Sequence, residues 1–199
     1  LLTLDGHFNL LGGVAFNSDG SRLVTGSWDH TAKVWDVASG TELMTLIGHT
    51  GGIQAVAFSA DGKRIATGGW DNTAKIWDAA SGEELFTLPE GGHTKEIEDV
   101  AFSPDGTKLA TASGDGTAKI WNAVTGQEIL ALSGHTQSVN GIAFSADGTQ
   151  IVTASADGKA KVWASTQGTF SVRGDFARTF KMKESDVQVI THYMGGGFG

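Results

Sequence analysis

Hydrophobic and polar residues alternate along short stretches of the chain, and glycine, aspartate or asparagine separates one stretch from the next. Asp61-Gly62 and Asp71-Asn72 stand between such stretches. Alternation with a period of two predicts β-strands, and Asp-Gly between such runs is typical of a tight hairpin turn. The pattern therefore predicts four short strands in residues 53–88. These are Ile53–Phe58, Arg64–Thr67, Ala74–Trp77 and Glu84–Leu88.

The same arrangement recurs along the chain. Gly-His pairs, tryptophans and Asp-Gly pairs all repeat at intervals of 42, 44 and 42 residues. Three markers that share these intervals, including one two-residue insertion near Pro89, indicate an internal repeat. The chain is therefore expected to hold four copies of one four-stranded unit. The repeated histidines and tryptophans are His7, His49, His93 and His135, and Trp35, Trp77, Trp121 and Trp163.

These copies resemble the WD-repeat family, in which a Gly-His pair precedes a closing Trp-Asp within about 40–45 residues. The last two closing pairs depart from that pattern. In chain order the pairs are Trp35-Asp36, Trp77-Asp78, Trp121-Asn122 and Trp163-Ala164. The resemblance implies an all-β fold, in which each copy is one blade of a β-propeller with four antiparallel strands. The expected blades cover residues 5–46, 47–88, 89–132 and 133–163 of a region that spans 1–163.

Four blades are fewer than the roughly six to eight that the resemblance implies for a closed ring. Residues Leu1–Leu4 are predicted to be the outer strand of a preceding blade. This favours a fragment of a longer chain that carries further repeats. The alternative is a homodimer in which two chains complete an eight-bladed ring.

Composition and charge narrow the classes of function. The chain has 199 residues, of which 29 are glycine and none is cysteine, so disulfides, thiolate zinc sites and cysteine nucleophiles are excluded. No apolar run approaches the roughly 18 residues of a membrane span, and we expect a soluble protein with no membrane partner. Residues 1–163 carry 19 acidic and 10 basic side chains, which disfavours nucleic acid as a partner. No targeting signal is visible, and a cytoplasmic location is the expectation.

Each repeat carries a histidine, a threonine, an aspartate and a tryptophan at fixed offsets. A hydroxyl, an imidazole and a carboxylate could form a catalytic triad, but an active site is built once, whereas this set occurs four times. In the WD-repeat family the matching residues form a buried hydrogen-bond network, and buried polar atoms need such partners. We expect a structural role and no catalytic or metal site. The sets are His7, Thr25, Asp29 and Trp35; His49, Thr67, Asp71 and Trp77; His93, Thr111, Asp115 and Trp121; and His135, Thr153, Asp157 and Trp163.

Binding residues are expected where the repeats differ. The residue before the turn aspartate is Trp28, Trp70, Gly114 or Ala156, and the fifth residue after the histidine is Gly12, Gln54, Glu98 or Asn140. The resemblance implies that both positions lie near one rim of the propeller. Tryptophan is enriched in interface hot spots, so we interpret Trp28 and Trp70 as protein-binding anchors; the alternative is that they fill gaps between blades. Glu96, Glu98 and Asp99 form either a charged rim or a solvated face.

The residues after Trp163 lose the repeat. Residues 172–182 have helical spacing, Val187–Thr191 is predicted to be a strand, and a glycine-rich end follows. This order resembles the molybdopterin-binding subunit of the xanthine dehydrogenase and aldehyde oxidase family. The matching residues run from Trp163 through Ser165-Thr166-Gln167 to Met194–Gly199. The resemblance implies that Gln167, Gly197, Phe198 and Gly199 line the cofactor. Residues 164–199 would then be part of a molybdenum hydroxylase domain.

Two functions from different classes follow. The first is a non-catalytic WD-repeat scaffold that binds proteins. The alternative is an appendage of a molybdopterin-dependent oxidoreductase. The family's catalytic glutamate is expected well beyond this match, so the chain alone should neither hold the cofactor nor catalyse hydroxylation. Molybdopterin and an enzyme activity are therefore expectations only for a longer parent protein.

Overall fold

The computed structural model describes residues 2–88 and 92–164, together with the backbone of 187–191. These residues form sixteen β-strands in four sheets of four strands each, and they contain no helix. It follows that no helix in the described ranges is long and apolar enough to cross a membrane. An all-β chain of four-stranded sheets is what the alternating pattern predicts.

Each sheet is one blade, and its strands follow one another in chain order. Blade one contains β1 (Leu11–Phe16), β2 (Arg22–Ser27), β3 (Thr31–Asp36) and β4 (Glu42–Ile47). Blade two contains β5 (Ile53–Phe58), β6 (Arg64–Gly69), β7 (Ala74–Asp78) and β8 (Glu84–Thr87). Blade three contains β9 (Ile97–Phe102), β10 (Lys108–Ser113), β11 (Thr117–Asn122) and β12 (Glu128–Ser133). Blade four contains β13 (Val139–Phe144), β14 (Gln150–Ser155), β15 (Ala160–Ala164) and β16 (Val187–Thr191).

The fourth strand of blade four comes from the chain after the last repeat. In the first three blades every neighbouring pair of strands is antiparallel. In blade four, β16 pairs with β15 in the parallel sense, with Val162 opposite Val189. The predicted strand at Val187–Thr191 is confirmed. Its place in blade four had not been expected, because the predicted tail belonged to another domain.

The hydrophobic core lies between blades rather than within them. One cluster combines Val24, Val34 and Leu46 of blade one with Ile53 and Trp77 of blade two. Equivalent clusters join blade two to blade three and blade three to blade four. A single sheet has two faces to cover, so each blade depends on its neighbours for burial of apolar surface.

Positive φ angles close the hairpins, as the Asp-Gly and Asp-Asn pairs predict. Gly62 has a φ of +67°, and Asn72 has a φ of +66°. Glycine meets no steric penalty in this region and asparagine only a small one, which explains why these residues recur at the turns.

Two predictions at the ends of the chain have different outcomes. Residues 2–4 form no strand, so the prediction of an outer strand at Leu1–Leu4 is wrong for these residues. A strand needs a neighbour for its backbone hydrogen bonds, and the described sheets provide none there. The predicted helix at 172–182 lies outside the described residues.

Candidate functional site

The repeated polar residues meet in every blade. In blade two, His49 Nδ1 lies 2.8 Å from Asp71 Oδ2, and His49 Nε2 lies 2.7 Å from Thr67 Oγ1. The indole Nε1–H of Trp77 donates to the same threonine oxygen at 2.9 Å. The other three blades contain the same three contacts. Each network ties the loop before a blade to its second and third strands.

The aspartates of these networks are held as carboxylates. Burial alone would raise the pKa of Asp71, but hydrogen bonding and charge from His49, with hydrogen bonds from Thr73 and the Thr50 N–H, lower it well below its usual value. Among the histidines, burial lowers the pKa of His93, although the carboxylate of Asp115 opposes this effect. The threonine hydroxyl is shared with a tryptophan inside each blade, so the hydrogen-bonding capacity of these groups is used within the blade.

Trp28 and Trp70 lie against each other across the boundary between blades one and two. Their ring centroids are 4.5 Å apart and their planes are tilted by 47°. The Nε1–H of Trp28 donates to Gln54 Oε1 at 3.2 Å. Trp70 nevertheless remains 48% exposed. We call Trp28, Trp70 and Gln54 the aromatic cluster.

Backbone hydrogen bonds fix the positions of both tryptophans. The N–H of Trp28 donates to the carbonyl of Leu10 at 2.9 Å, and that of Trp70 donates to the carbonyl of Gly52 at 2.8 Å. Each bond joins the turn after the second strand to the loop before the first strand of the same blade. The two indoles therefore project from equivalent places on a rigid scaffold, and the mutual contact arises because neighbouring blades are adjacent.

Blade three replaces the tryptophan with an acidic surface. At the equivalent position stands Gly114, and an added Cβ there would lie 2.3 Å from Glu96 Oε1. The side chain of Glu96 thus covers the space that an indole takes in blades one and two. Glu98 holds in blade three the place that Gln54 holds in blade two. We call Glu96, Glu98 and Asp99 the acidic strip.

Burial raises the pKa values of two carboxyl groups in the acidic strip. For Glu98, burial is the larger cause and the nearby charge of Glu96 adds to it. For Asp99, burial outweighs the N–H groups of Ile142 and Val100, which donate to its carboxylate. Among the described residues, no basic side chain lies within ion-pair distance of this strip. Asp99 is engaged by these two backbone N–H groups, so Glu96 and Glu98 are the members of the strip that a cation can approach.

The remaining predicted site residues fall into two groups. Asn140 lies at the start of blade four, where its Oδ1 accepts a hydrogen bond from the Ser138 hydroxyl at 2.6 Å. Gln167, Gly197, Phe198 and Gly199 lie outside the described residues. Within the described ranges, no cluster of three or more histidine, aspartate or glutamate side chains is arranged to hold a metal ion.

Comparison with known proteins identifies the repeats. The family model for the WD domain, G-beta repeat, matches residues 1–36, 40–78 and 82–122, which together make up more than half of the chain. The chain belongs to the WD-repeat family. The geometry agrees with this assignment, since the matched stretches carry the closing tryptophans of the first three blades.

Individual relatives match short stretches of the WD-repeat chain. Dynein assembly factor with WD repeat domains 1 from Xenopus laevis is 58% identical over 40 residues, which are 20% of this chain and 10% of the relative. Vegetative incompatibility protein HET-E-1 from Podospora anserina is 54% identical over 39 residues, which are 20% of this chain and 3% of the relative. The matched stretch thus spans a tenth or less of the length of these relatives.

A second family model, the molybdopterin cofactor-binding domain, matches residues 107–199. It overlaps the WD-repeat match at 107–122. The described residues under this second match are strands and turns of blades three and four. Among the described residues, the groove between these blades is lined by both basic and acidic side chains, namely Lys95, His135, Glu96 and Asp115, and this mixed lining does not select for an anionic cofactor.

Two features of the site were missed in the sequence. One is the tilted contact between the rings of Trp28 and Trp70, and the other is the position of the Glu96 side chain over Gly114. Both depend on which repeat positions meet in space. The hydrogen bond between Trp28 and Gln54 could have been anticipated, because both positions were already assigned to the same rim.

Proposed function

We propose that this WD-repeat chain is a non-catalytic scaffold that binds a protein partner through the aromatic cluster and the acidic strip. The observation that carries the proposal is the contact of Trp28 with Trp70, in which Trp28 is half-buried and Trp70 remains 48% exposed. Two indoles in contact offer a large apolar surface, and their side chains lose little conformational entropy when a partner binds. Tryptophan residues contribute much of the binding energy in many protein interfaces.

The charge of the neighbouring residues indicates the kind of partner. Glu98 of blade three occupies the repeat position of Gln54 in blade two. The repeat therefore places Glu98 beside Trp70 in the same way that Gln54 lies beside Trp28. A lysine or arginine side chain could therefore lie on the exposed indole and pair with a carboxylate of the acidic strip. Asn140 would extend the same rim into blade four. We propose a peptide segment that presents a basic residue beside an apolar one.

Selection of peptides from a random displayed library against the immobilised full chain tests this function. Peptides enriched by the wild-type chain should lose binding to Trp28→Ala and Trp70→Ala by roughly thirtyfold, which corresponds to about 2 kcal/mol for a hot spot. Glu98→Gln should weaken the basic peptides selectively. The matched control is Leu85→Ala, since Leu85 is 41% exposed and lies on β8, away from this rim.

The melting temperature distinguishes binding residues from gap-filling residues. Trp70→Ala should melt close to the wild type because the indole is already half exposed. Unchanged peptide binding together with a large loss of stability would instead assign both tryptophans to packing between blades.

A second candidate function is attachment to a molybdopterin-dependent oxidoreductase. The match of residues 107–199 and the Gln167 and Gly197–Gly199 motifs support it. In that arrangement the blades would organise or dock a hydroxylase domain, and these motifs would contact the cofactor. Sequencing of the transcript beyond the codon for Gly199 tests the idea. A continuing hydroxylase domain supports the fusion, whereas a stop codon or more WD repeats contradicts it.

A further inference from the structure

The first strand of every blade contains one residue that has no partner of its own in the adjacent strand. In blade four, Val139 lies opposite Ser155 and Gly141 lies opposite Ala154, so the register skips Asn140. This is a β-bulge, in which the extra residue is left unpaired and its side chain is re-aimed. The skipped residues of the four blades are Gly12, Gln54, Glu98 and Asn140. The variable position of the repeat is therefore the bulge.

The bulge of blade four combines an asparagine with a glycine. Asn140 is the only asparagine of the sequence that is followed by glycine. It is exposed, and its Oδ1 accepts the hydrogen bond from the Ser138 hydroxyl. A Cβ added to Gly141 would have its nearest neighbours at 3.7 and 3.9 Å, so the surroundings do not crowd this residue. Glycine also lacks the side chain that would obstruct the approach of its own nitrogen to the preceding amide carbon.

We propose that Asn140 is a site of spontaneous deamidation in the folded chain. The backbone nitrogen of Gly141 gives its proton to solvent base and attacks Cγ of Asn140, and the new bond closes a succinimide ring. The bond between Cγ and Nδ2 breaks, and Nδ2 takes up a proton and leaves as ammonia. Water then adds to either carbonyl of the ring and opens it, which leaves aspartate or isoaspartate at this position. The net change consumes one water and releases one ammonia.

Two features of the fold favour the attack. The hydrogen bond from Ser138 withdraws electron density from Oδ1 of Asn140 and stabilises the negative charge that develops on this oxygen when the nitrogen adds. The bulge contributes because Asn140 lies outside the register that pairs its neighbours across the sheet. We therefore expect the reaction in the folded chain as well as in the unfolded one.

The other four asparagines have a different setting. Each is followed by a residue with a side chain, and hydrogen bonds hold nitrogens that would have to attack. The N–H of Leu10 donates to Asn9 Oδ1 at 2.8 Å, and the N–H of Ala123 donates to the carbonyl of Thr107 at 2.9 Å. These residues serve as controls inside the same molecule. They are Asn9, Asn17, Asn72 and Asn122.

Deamidation carries the acidic strip into blade four. Asn140 holds the repeat position of Glu98, so the product places a carboxylate at the same bulge in both blades. Asp99 of the strip lies next to this site, since its Oδ2 would be 3.9 Å from a Cβ added to Gly141. A basic peptide segment would then meet a more acidic rim. This effect on binding rests on the proposed function, whereas the deamidation itself does not.

Peptide mapping of the full chain by mass spectrometry tests the site after incubation of the folded protein in mildly alkaline buffer. The peptide that contains residue 140 should gain the mass difference between an amide and an acid, and it should separate into aspartate and isoaspartate forms. The conversion should be faster at higher pH, because the attacking nitrogen must lose its proton. The peptides that contain the other four asparagines should keep their mass.

The chain unfolded in guanidinium chloride provides the reference rate. Conversion at Asn140 in the unfolded chain but not in the folded chain overturns the proposal, because the fold would then protect the amide. Equal conversion of Asn72 or Asn122 in the folded chain also overturns it, since the bulge and the glycine would then have no special effect.

Gly141→Ala is the matched variant for the mechanism. The space around Gly141 accepts a methyl group, so the near-ultraviolet circular dichroism of the buried tryptophans should be retained. The conversion of Asn140 should slow by about tenfold or more, because the methyl group obstructs the approach of the nitrogen. An unchanged rate would show that the amide is not lost through the ring.

Asn140→Asp reproduces one product and tests the effect on a partner. Basic peptides selected by the wild-type chain should bind this variant about two- to fivefold more tightly, the range of a partly exposed ion pair. The control is Asn122→Asp, which adds the same charge where blades one and two carry Asp36 and Asp78. Equal affinity for wild type and Asn140→Asp contradicts the effect on binding. If the library yields no peptide, the proposed function fails, while the mass spectra still decide whether Asn140 is deamidated.

Discussion

The histidine, threonine, aspartate and tryptophan of each repeat show how single residues specify the loop before a blade. Thr111 Oγ1 lies 2.8 Å from His93 Nε2 and also accepts a hydrogen bond from Trp121 Nε1 at 2.9 Å. Asp115 accepts hydrogen bonds from His93 and from the N–H of Thr94. Loss of one member leaves buried partners unsatisfied, and this cost exceeds the net value of any single bond.

His93 gives a prediction in which stability depends on pH. Its pKa in the folded chain is lowered by burial from the usual value of 6.5. As the pH falls below that value, the unfolded chain takes up the proton first, so the free energy of unfolding should decrease. His93→Gln should lower the free energy of unfolding at neutral pH by about 1–3 kcal/mol. It should also show a weaker fall between about pH 7 and 5.

Urea unfolding of the wild type and of His93→Gln at several pH values makes the comparison. The difference between the two chains isolates the contribution of His93, because the other titrating groups are common to both. Parallel pH profiles would show that burial does not favour the neutral imidazole. Equal stability at neutral pH would show that the network contributes nothing at this position.

At the scale of single strands, close approach between blades explains residues that the repeat pattern leaves open. The repeat position of Gly12 is occupied by Gln54, Glu98 and Asn140 in the other blades. This variation predicts a position that is free to bind partners. The structure shows that blade one comes close to blade two here: an added Cβ would lie 2.3 Å from the carbonyl oxygen of Ile53. Backbone atoms cannot move aside as a flexible side chain can. The absence of a side chain at Gly12 therefore serves packing between β1 and β5.

Gly12→Ala should destabilise the chain by about 1–3 kcal/mol, because the backbones of two strands must separate. Gly141→Ala is the matched control in the first strand of blade four. There the nearest atoms to an added Cβ are at ordinary contact distances of 3.7 and 3.9 Å. Thermal unfolding of both variants measures the difference. If the two substitutions have equal effects, the strands are not in close contact at Gly12.

The same scale shows what could be predicted from the sequence. The strands and hairpins followed from local alternation and from turns such as Asp61-Gly62, since each depends on a few adjacent residues. The pairing of β16 with β15 could not be predicted, because no repeat marker assigns a partner to Val187–Thr191. The partner of the repeated lysine on the third strand also differs between blades. Lys75 pairs with Glu84 at 2.9 Å in blade two, whereas Lys161 in blade four donates to the carbonyl of Gly134.

In the whole molecule, the unpredicted features lie where blades meet. Residues with the same offset have the same partners inside a blade, so one repeat predicts the network of the others. The contact of Trp28 with Trp70 joins two repeats, and the third repeat carries the unlike residue Gly114 at the equivalent position. The exposure of Leu11 depends on the lack of a preceding blade in the described structure. Leu11 and Ile53 are both large and apolar, so their different exposure comes from the position of each blade in the array and not from residue type.

This dependence on neighbours predicts a gradient of stability along the array. Among the described residues, blades two and three are packed against a neighbour on both faces, whereas blades one and four are packed against one neighbour. Stability in repeat arrays is close to a sum of nearest-neighbour contributions. Amide hydrogens of β6 and β10 should therefore exchange more slowly than those of β2 and β14 in the monomer. Dilute samples of the wild-type chain, with the monomeric state checked by light scattering, allow the measurement.

Hydrogen exchange followed by mass spectrometry resolves the four strands separately. Slower exchange in β6 and β10 than in β2 and β14 is the expected result, because the former strands are packed between two described neighbours. Uniform protection of the four strands would contradict nearest-neighbour stability.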